Sequence, residues 1–373
     1  MKLTILQENL KKGVSIINRV VPKSLSLPIL NNLLIKTEKN FLNLITTDLE
    51  IGINWWSLAK VEKEGKTTVP IKILGNFINL LPNKPVDIYT ENNDLVVECQ
   101  NYKTKIKTFP AEDFPIIPKV SEDNPIIVNS LNFCQSLSQI VDIAQPSSAR
   151  PEISGVYFLF QNKILKIVAT DSFRLGEKKL PLEKLEQKYS TILPQKTVRE
   201  IINIFGEKEE ELKIFVSPNQ VLFSSLMAET DHPQVQLISR TIEGEYPNYE
   251  AIIPKGCKTS LLLEKNEFLN QIKAASLFSG KINEVKIRVD PKKDGAEILS
   301  QSPELGEYKS FTPGKVKGEK VEVSFNHRFL IDGILNIKGE DLNFEVNGED
   351  GPAALKPVAD QNYIYIVMPM KTD

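Results

Sequence analysis

The chain has 373 residues, with 46 Lys and Arg against 48 Asp and Glu, for a formal net charge of −2. A quarter of it is charged and 41% is apolar, the composition of a globular protein, and no apolar run reaches the ~18 residues of a membrane span. So neutral a chain does not grip nucleic acid by bulk charge; such a partner must be met by a local patch or held by something other than affinity.

Met1-Lys-Leu-Thr-Ile-Leu6 reads as a strand start and lacks the long apolar stretch of a secretion signal. The spacing predicts a helix over Leu6–Val20, with Leu10, Val14 and Ile17 inward and Lys11, Lys12, Ser15, Asn18 and Arg19 on the opposite face. Alternation predicts strands at Phe41–Thr46, Thr67–Pro70, Val86–Tyr89 and Leu95–Cys99, with a hairpin turn at Asn92-Asn93-Asp94 and a short helix within Val69–Leu81. The run Asn101–Thr108 alternates strictly and puts Lys103, Lys105 and Lys107 on one face, as in an edge strand guarded against wrong pairing. After the proline-rich join Phe114–Pro125, a second helix is expected over Ser130–Gln145, with Leu131, Leu137, Val141 and Ala144 inward and Gln135, Ser138 and Gln139 outward. Strands at Ile164–Ala169 and Lys213–Val216, a turn at Pro218-Asn219 and a helix within Leu193–Phe205 follow. Beyond a second join at Ile252–Lys258 come a helix over Glu264–Ser279, a strand at Val285–Val289 and a last helix within Phe325–Ile337. In the helix over Glu264–Ser279, Phe268, Leu269, Ile272 and Ala275 point inward and Asn270 and Lys273 outward.

The order repeats. Thr108–Pro118 returns as Thr241–Pro254, and Leu44-Ile-Thr-Thr-Asp-Leu49 as Lys166-Ile-Val-Ala-Thr-Asp171. The spacing of roughly 120 to 135 residues is that of a whole domain. We therefore expect three tandem α+β domains, 1–121, 122–255 and 256–373, each with two helices packed on antiparallel strands. Over the six helices Lys and Arg outnumber Asp and Glu by roughly four. That is either ordinary solvated faces or polar faces converging on one polyanion.

Signals for chemistry are absent. The two histidines, His232 and His327, fall in different copies, and no CxxC, HExxH, P-loop or GxGxxG occurs. The duplicated Thr47-Asp48 and Thr170-Asp171 read as a repeated turn rather than as catalytic carboxylates, and Glu112 and Asp113 lack metal-like clustering. No catalytic residue, metal or cofactor is expected. Cys99, Cys134 and Cys257 are odd in number and far apart, which fits a reducing cytoplasm.

Seven segments together carry a resemblance: Ser26-Leu-Pro-Ile-Leu-Asn-Asn-Leu33, Thr47-Asp-Leu-Glu50, Phe109-Pro-Ala-Glu-Asp-Phe-Pro115, Arg150-Pro-Glu-Ile-Ser-Gly155, Ala169-Thr-Asp-Ser-Phe-Arg-Leu175, Gly244-Glu-Tyr-Pro-Asn-Tyr249 and Tyr365-Ile-Val-Met-Pro-Met370. In order and spacing the chain resembles the bacterial DNA polymerase III β subunits, the DNA sliding clamps, over essentially its whole length. The resemblance implies three copies of a DNA-clamp module forming a half-ring, and a homodimer closed head to tail into a ring around duplex DNA, bound without regard to sequence. It implies an accessory processivity factor, not an enzyme. Its partners would be the polymerase III catalytic subunit, the clamp loader and other polymerases and repair proteins, with no membrane role. The other reading is a clamp-fold paralogue acting as a protein-interaction scaffold.

By the same resemblance Lys12, Lys23, Arg150, Lys196 and Arg199 approach DNA. A cleft for partner peptides is lined by Ile153, Thr170, Ser172, Phe173, Arg174, Leu175, Pro247, Ile252, Pro352, Ile366, Val367, Met368, Pro369 and Met370, with Arg174 fixing the peptide's polar atoms. Phe173 stands where many relatives have His, and Glu250 and Ala251 where some have basic residues. Lys103, Lys105, Ile106 and Lys107 would meet Leu277, Phe278, Glu304 and Glu307 of a second copy.

Overall fold

The computed structural model describes residues 1–21, 27–185 and 188–371. Lys23 lies outside them. One element order occurs three times, with a strand, a helix, a run of strands, a second helix and three closing strands. The first copy comprises β1 (Lys2–Leu6), α1 (Gln7–Ile17), β2 (Asn32–Glu38), β3 (Phe41–Thr47), β4 (Ile51–Leu58), β5 (Lys60–Lys63), β6 (Gly65–Pro70), α2 (Ile71–Leu80), β7 (Pro85–Glu91), β8 (Asp94–Cys99) and β9 (Tyr102–Lys107). The second runs β10 (Ile126–Asn129), α3 (Ser130–Ser138), β11 (Gly155–Gln161), β12 (Ile164–Thr170), β13 (Arg174–Pro181), β14 (Tyr189–Pro194), α4 (Gln195–Phe205), β15 (Glu211–Ser217), β16 (Gln220–Leu226) and β17 (Pro233–Arg240). The third runs β18 (Thr259–Glu264), α5 (Lys265–Ser276), β19 (Glu284–Asp290), β20 (Gly295–Ser302), β21 (Gly306–Pro313), β22 (Lys315–Gly318), β23 (Val321–Asn326), α6 (His327–Leu335), β24 (Asp341–Val346), β25 (Ala353–Pro357) and β26 (Tyr363–Val367).

The chain packs as two compact units, each joining parts of successive copies. Met1–Cys134 with Lys196–Thr241 make one, and Gln135–Gln195 with Ile242–Asp373 the other. In the first unit the eight-stranded sheet β10-β15-β16-β17-β4-β3-β2-β6 is continuous because β17 pairs antiparallel with β4; a five-stranded sheet, β5-β1-β7-β8-β9, accompanies it. In the second unit β26 pairs with β13, and the nine-stranded sheet β14-β11-β12-β13-β26-β25-β24-β18-β22 lies alongside a four-stranded one, β21-β20-β19-β23. Both seams join the last strand of one copy to the fourth strand of the preceding copy.

Helices dock on these sheets through the predicted faces. Leu10, Val14 and Ile17 of α1 are buried, as are Phe268, Leu269, Ile272 and Ala275 of α5. Gly13 lets α1 approach the sheet closely, since a Cβ there would lie 2.5 Å from the Trp55 ring. Gly333 of α6 meets Tyr365 in the same way. A side chain at either position would push helix and sheet apart.

The second helix corrects the sequence expectation. It stops at Ser138, not Gln145. Beyond it the chain runs on in tight turns, with the Ile140 amide donating to the Leu137 carbonyl and the Ile143 amide to that of Ile140, and Gln195 donates to the carbonyls of Val141 (2.8 Å) and Ala144 (2.6 Å). Gln139, expected outward, is buried and donates to the Asn336 carbonyl at 2.7 Å, a partner that appears only after folding.

Candidate partner-binding site

The repeated Thr-Asp turns have one geometry. Thr47 Oγ1 donates to the Ile51 carbonyl, and Thr170 Oγ1 to the Arg174 carbonyl. Asp48 Oδ1 accepts the amides of Glu50 and Ile51, and Asp171 Oδ1 those of Phe173 and Arg174. In both, the residue after the Asp is left-handed, Leu49 at φ 77° and Ser172 at φ 78°. The Asp is thus a built-in acceptor for two amides of a tight turn, the structural role expected from its duplication.

In the second unit this turn hangs at the β12–β13 end of the nine-stranded sheet. Thr170 faces Leu175, Leu175 faces Ile366 and Ile366 faces Ala354 across four strands. Leu175 and Ile366 are buried with Val168, Tyr246 and Tyr249. Tyr157 stacks on Tyr246 with ring centroids 4.6 Å apart, and the Tyr249 hydroxyl donates to Glu177 at 2.8 Å. Burial, then the Glu177 carboxylate, drives the Tyr249 pKa upward, so the phenol stays protonated. The segment after Tyr246 brings Pro247 and half-exposed Ile252 to this side, while Glu250 is tied to Lys166 at 2.6 Å. Ile153 is buried. The rim is apolar: Phe173 is 61% exposed, and Met368, Pro369, Met370 and Pro352 are partly so.

Two expected cleft residues are reassigned. Side chains alternate along β26, so Val367, fully buried, shares the face of Tyr365 and not that of Ile366. Tyr365 donates to the Phe329 carbonyl of α6, which places that face against the helix. Arg174 is on the same side and is 5% exposed. Its guanidinium donates to Asp171 (2.9 Å), Asp332 (2.5 Å) and the Asp142 carbonyl (3.3 Å), and sits 4.8 Å from the Phe329 ring centroid. Burial alone would favour losing its proton; Tyr365, Asp171 and Asp332 outweigh that and raise its pKa further. Three of its five N–H donors are engaged inside the chain, so it braces the wall. Sequence reasoning missed Phe329 and Asp332, although their i, i+3 spacing on a helix was legible.

Of the residues expected at DNA, Lys12, Arg150, Lys196 and Arg199 are exposed on helices and a loop. Lys12 lies on the polar face of α1; desolvation, then neighbouring Lys208, lowers its pKa. Lys196 is paired with Asp48, and Arg199 is exposed on the same helix. Arg150 donates to Ser172 Oγ at 2.7 Å, so it touches the rim of the cleft. Lys72, Lys196 and Arg328 occupy the second position of α2, α4 and α6, a recurrence not read from sequence. The six helices carry eight Lys or Arg against four Asp or Glu.

At the expected dimer edge, β9 is the last strand of its sheet, with Lys103, Lys105 and Lys107 exposed. Each already has a carboxylate of its own unit, Glu98, Glu91 and Asp94 respectively. Ile106 is 4% exposed, because alternation turns it into its own core; its side chain is not available to a second copy. Glu304, Glu307 and Leu277 are exposed, and Phe278 stacks on Tyr308. An apolar stripe that sequence reasoning missed runs along α2, with Ile73 and Leu80 exposed and Phe77 half-buried at i, i+4, i+7. Among the described residues no cluster of His, Cys, Asp and Glu could hold a metal, and no helix is long and apolar enough to cross a membrane.

Fold and repeat define the class, three tandem α+β modules of the DNA-clamp type. Family models of the DNA polymerase III beta subunit match in register: the N-terminal domain at residues 1–118, the central domain at 128–248 and the C-terminal domain at 250–371. The beta sliding clamp of Staphylococcus aureus is 27% identical and that of Bacillus subtilis 25%, each over 100% of both chains. The crystal structure of the B. subtilis DNA polymerase sliding clamp superposes with a TM-score of 0.94 at 25% identity, covering both chains fully. A Pseudomonas aeruginosa sliding clamp bound to griselimycin superposes at 0.93 and 22% identity, also with full coverage. The chain belongs to the DNA polymerase III beta subunit family.

Proposed function

We propose that two copies of this chain close into a ring around duplex DNA and act as a sliding clamp, tethering the replicative polymerase, the clamp loader and other replication and repair proteins through the apolar cleft. The observation that carries this is the pattern of sheet edges. Each in-chain seam pairs a closing strand, β17 or β26, with a fourth strand, β4 or β13. By repeat, β9 is the counterpart of β17 and β26, and β21 the counterpart of β4 and β13. Both are edge strands, of a five- and a four-stranded sheet. Pairing β9 of one copy with β21 of another repeats the seam, and a head-to-tail contact that closes after two copies leaves neither of these two edges unpaired.

The apolar part of that seam is Leu80, Ile73 and Phe77 of α2 against Leu277 and Phe278, with Glu304 and Glu307 at the rim. Ile106 contributes backbone only. Domain limits of 1–121, 122–255 and 256–373 fit this arrangement. Lys12, Arg150, Lys196 and Arg199, joined by Lys72 and Arg328, face the DNA. Their contacts are few and sequence-independent, which suits a protein that slides. The cleft that takes a partner's Leu and Phe side chains comprises Thr170, Leu175, Pro247, Ile252, Ile366 and Met368, with Phe173 and Met370 at its rim. The role is accessory, without chemistry of its own.

The test is retention. Loaded by the clamp loader with ATP, the protein stays on circular duplex and runs off when the circle is linearised. Equal retention on both forms would sink the ring. A scaffold paralogue would bind partner peptides yet leave polymerase processivity unchanged.

A further inference from the structure

The joins that follow β9 and β17 begin and end alike but differ in length. The Phe109 amide donates to the Thr68 carbonyl of β6, and the Ile242 amide to the Ile192 carbonyl of β14. One join ends on Ile116-Ile117-Pro118 and the other on Ile252-Ile253-Pro254. Between Pro247 and Ile252 the second inserts Asn248-Tyr249-Glu250-Ala251, where the first runs from Pro115 straight to Ile116. The inserted turn covers the sheet beneath it. Tyr249 is buried and donates to Glu177, and Glu250 holds Lys166.

Counted from the Thr-Asp turns, Ile45 and Asn54 of the first copy stand where Val168 and Glu177 stand in the second. Val168 and Glu177 are buried, whereas Ile45 and Asn54 are partly exposed. Above them lies an open groove of about 890 Å³, its apolar lining including Leu34, Ile45, Trp56 and Phe114. Lys36 and Lys66, opposite each other on β2 and β6, also line it. Their carboxylate partners, Glu38 and Glu112, are exposed, and such pairs are weak and exchangeable.

We propose that this groove binds a partner protein's segment in which a tyrosine is followed by an acidic residue, seated as Tyr249-Glu250 is seated in the second unit. The ring packs on Leu34 and Ile45, the phenol donates to the Asn54 amide oxygen, and the carboxylate meets Lys36 and Lys66. The groove is on the first unit and the cleft on the second, so neither reading depends on the other.

The experiment titrates the full-length protein with the hexapeptide Pro-Asn-Tyr-Glu-Ala-Ile, the sequence of residues 247–252. Of the two tryptophans Trp55 is buried and Trp56 lines the groove, so binding should change indole emission in the parent and not in Trp56→Phe. By anisotropy of the labelled peptide, Ala in place of its Tyr should weaken binding about tenfold or more. Phe in that place should cost about threefold in the parent and nothing in Asn54→Leu. Lys66→Glu, at a half-exposed position that should not disturb folding, should weaken the parent peptide about fivefold and favour one with Lys in place of Glu. No saturable binding, or binding unchanged in both variants, would overturn the proposal. Displacement of the hexapeptide by a decapeptide with adjacent Leu and Phe side chains would put it in the cleft of the second unit and overturn the proposal equally.

Discussion

Asp48 shows how one carboxylate can serve two ends. It accepts two turn amides and, through its other oxygen, pairs with Lys196 of α4. Asp48→Ala leaves both amides without an acceptor and should cost about 1–2 kcal/mol, measured as a lower urea midpoint at unchanged slope. His327 opens α6 with Nδ1 buried and unpartnered among the described residues. Desolvation, then Arg328, pushes its pKa down. The unfolded chain, with an ordinary value of about 6.5, then binds the proton more tightly, so stability present above that pH is lost as pH falls through and below it. Thermal melts at pH 7.5 and 5.5 should show this loss in the parent, and His327→Gln should lessen it. At this scale much was legible: the Thr-Asp duplication announced its turn. The role of Arg174 was not, because its partners lie on α6 and at Asp142, and an exposed and a buried arginine are identical letters.

At the scale of elements, helix periods and strand alternation were readable because each element has one wet and one dry face. α1 and α5 bury the residues their spacing names. β9 shows both the reach and the limit of the pattern. Alternation correctly set three lysines on one face, but the opposite residue, Ile106, belongs to the chain's own core and not to a partner. Reversing Lys103, Lys105 and Lys107 to Glu would therefore also clash with Glu98, Glu91 and Asp94 inside the unit. Leu277, 70% exposed, gives a cleaner test. A ring has two seams, and losing about 2 kcal/mol of apolar burial at each should weaken dimerisation roughly a thousandfold. Leu277→Asp should then elute as a folded monomer by light scattering at micromolar concentration; an intact dimer would count against the seam.

For the molecule as a whole, near-neutral charge and a DNA-directed role are compatible because linkage, not adhesion, does the holding. Retention on circular DNA should accordingly persist at salt concentrations that strip off proteins bound through phosphate contacts, and vanish on linearisation. The repeat also explains economy of design. One seam geometry, already used twice within the chain, needs only unpaired β9 and β21 edges to be used again between chains.

The sequence by itself determined the threefold repeat, the α+β module and the wet and dry faces of α1 and α5, since these follow from local periodicity and from copies that can be compared with one another. Only the tertiary structure decided that α3 ends early, that Val367 turns away from Ile366, that Arg174 is a brace and that Ile106 is core. Each of these depends on what a distant segment places opposite the residue, and burial is a property of that pairing rather than of the residue.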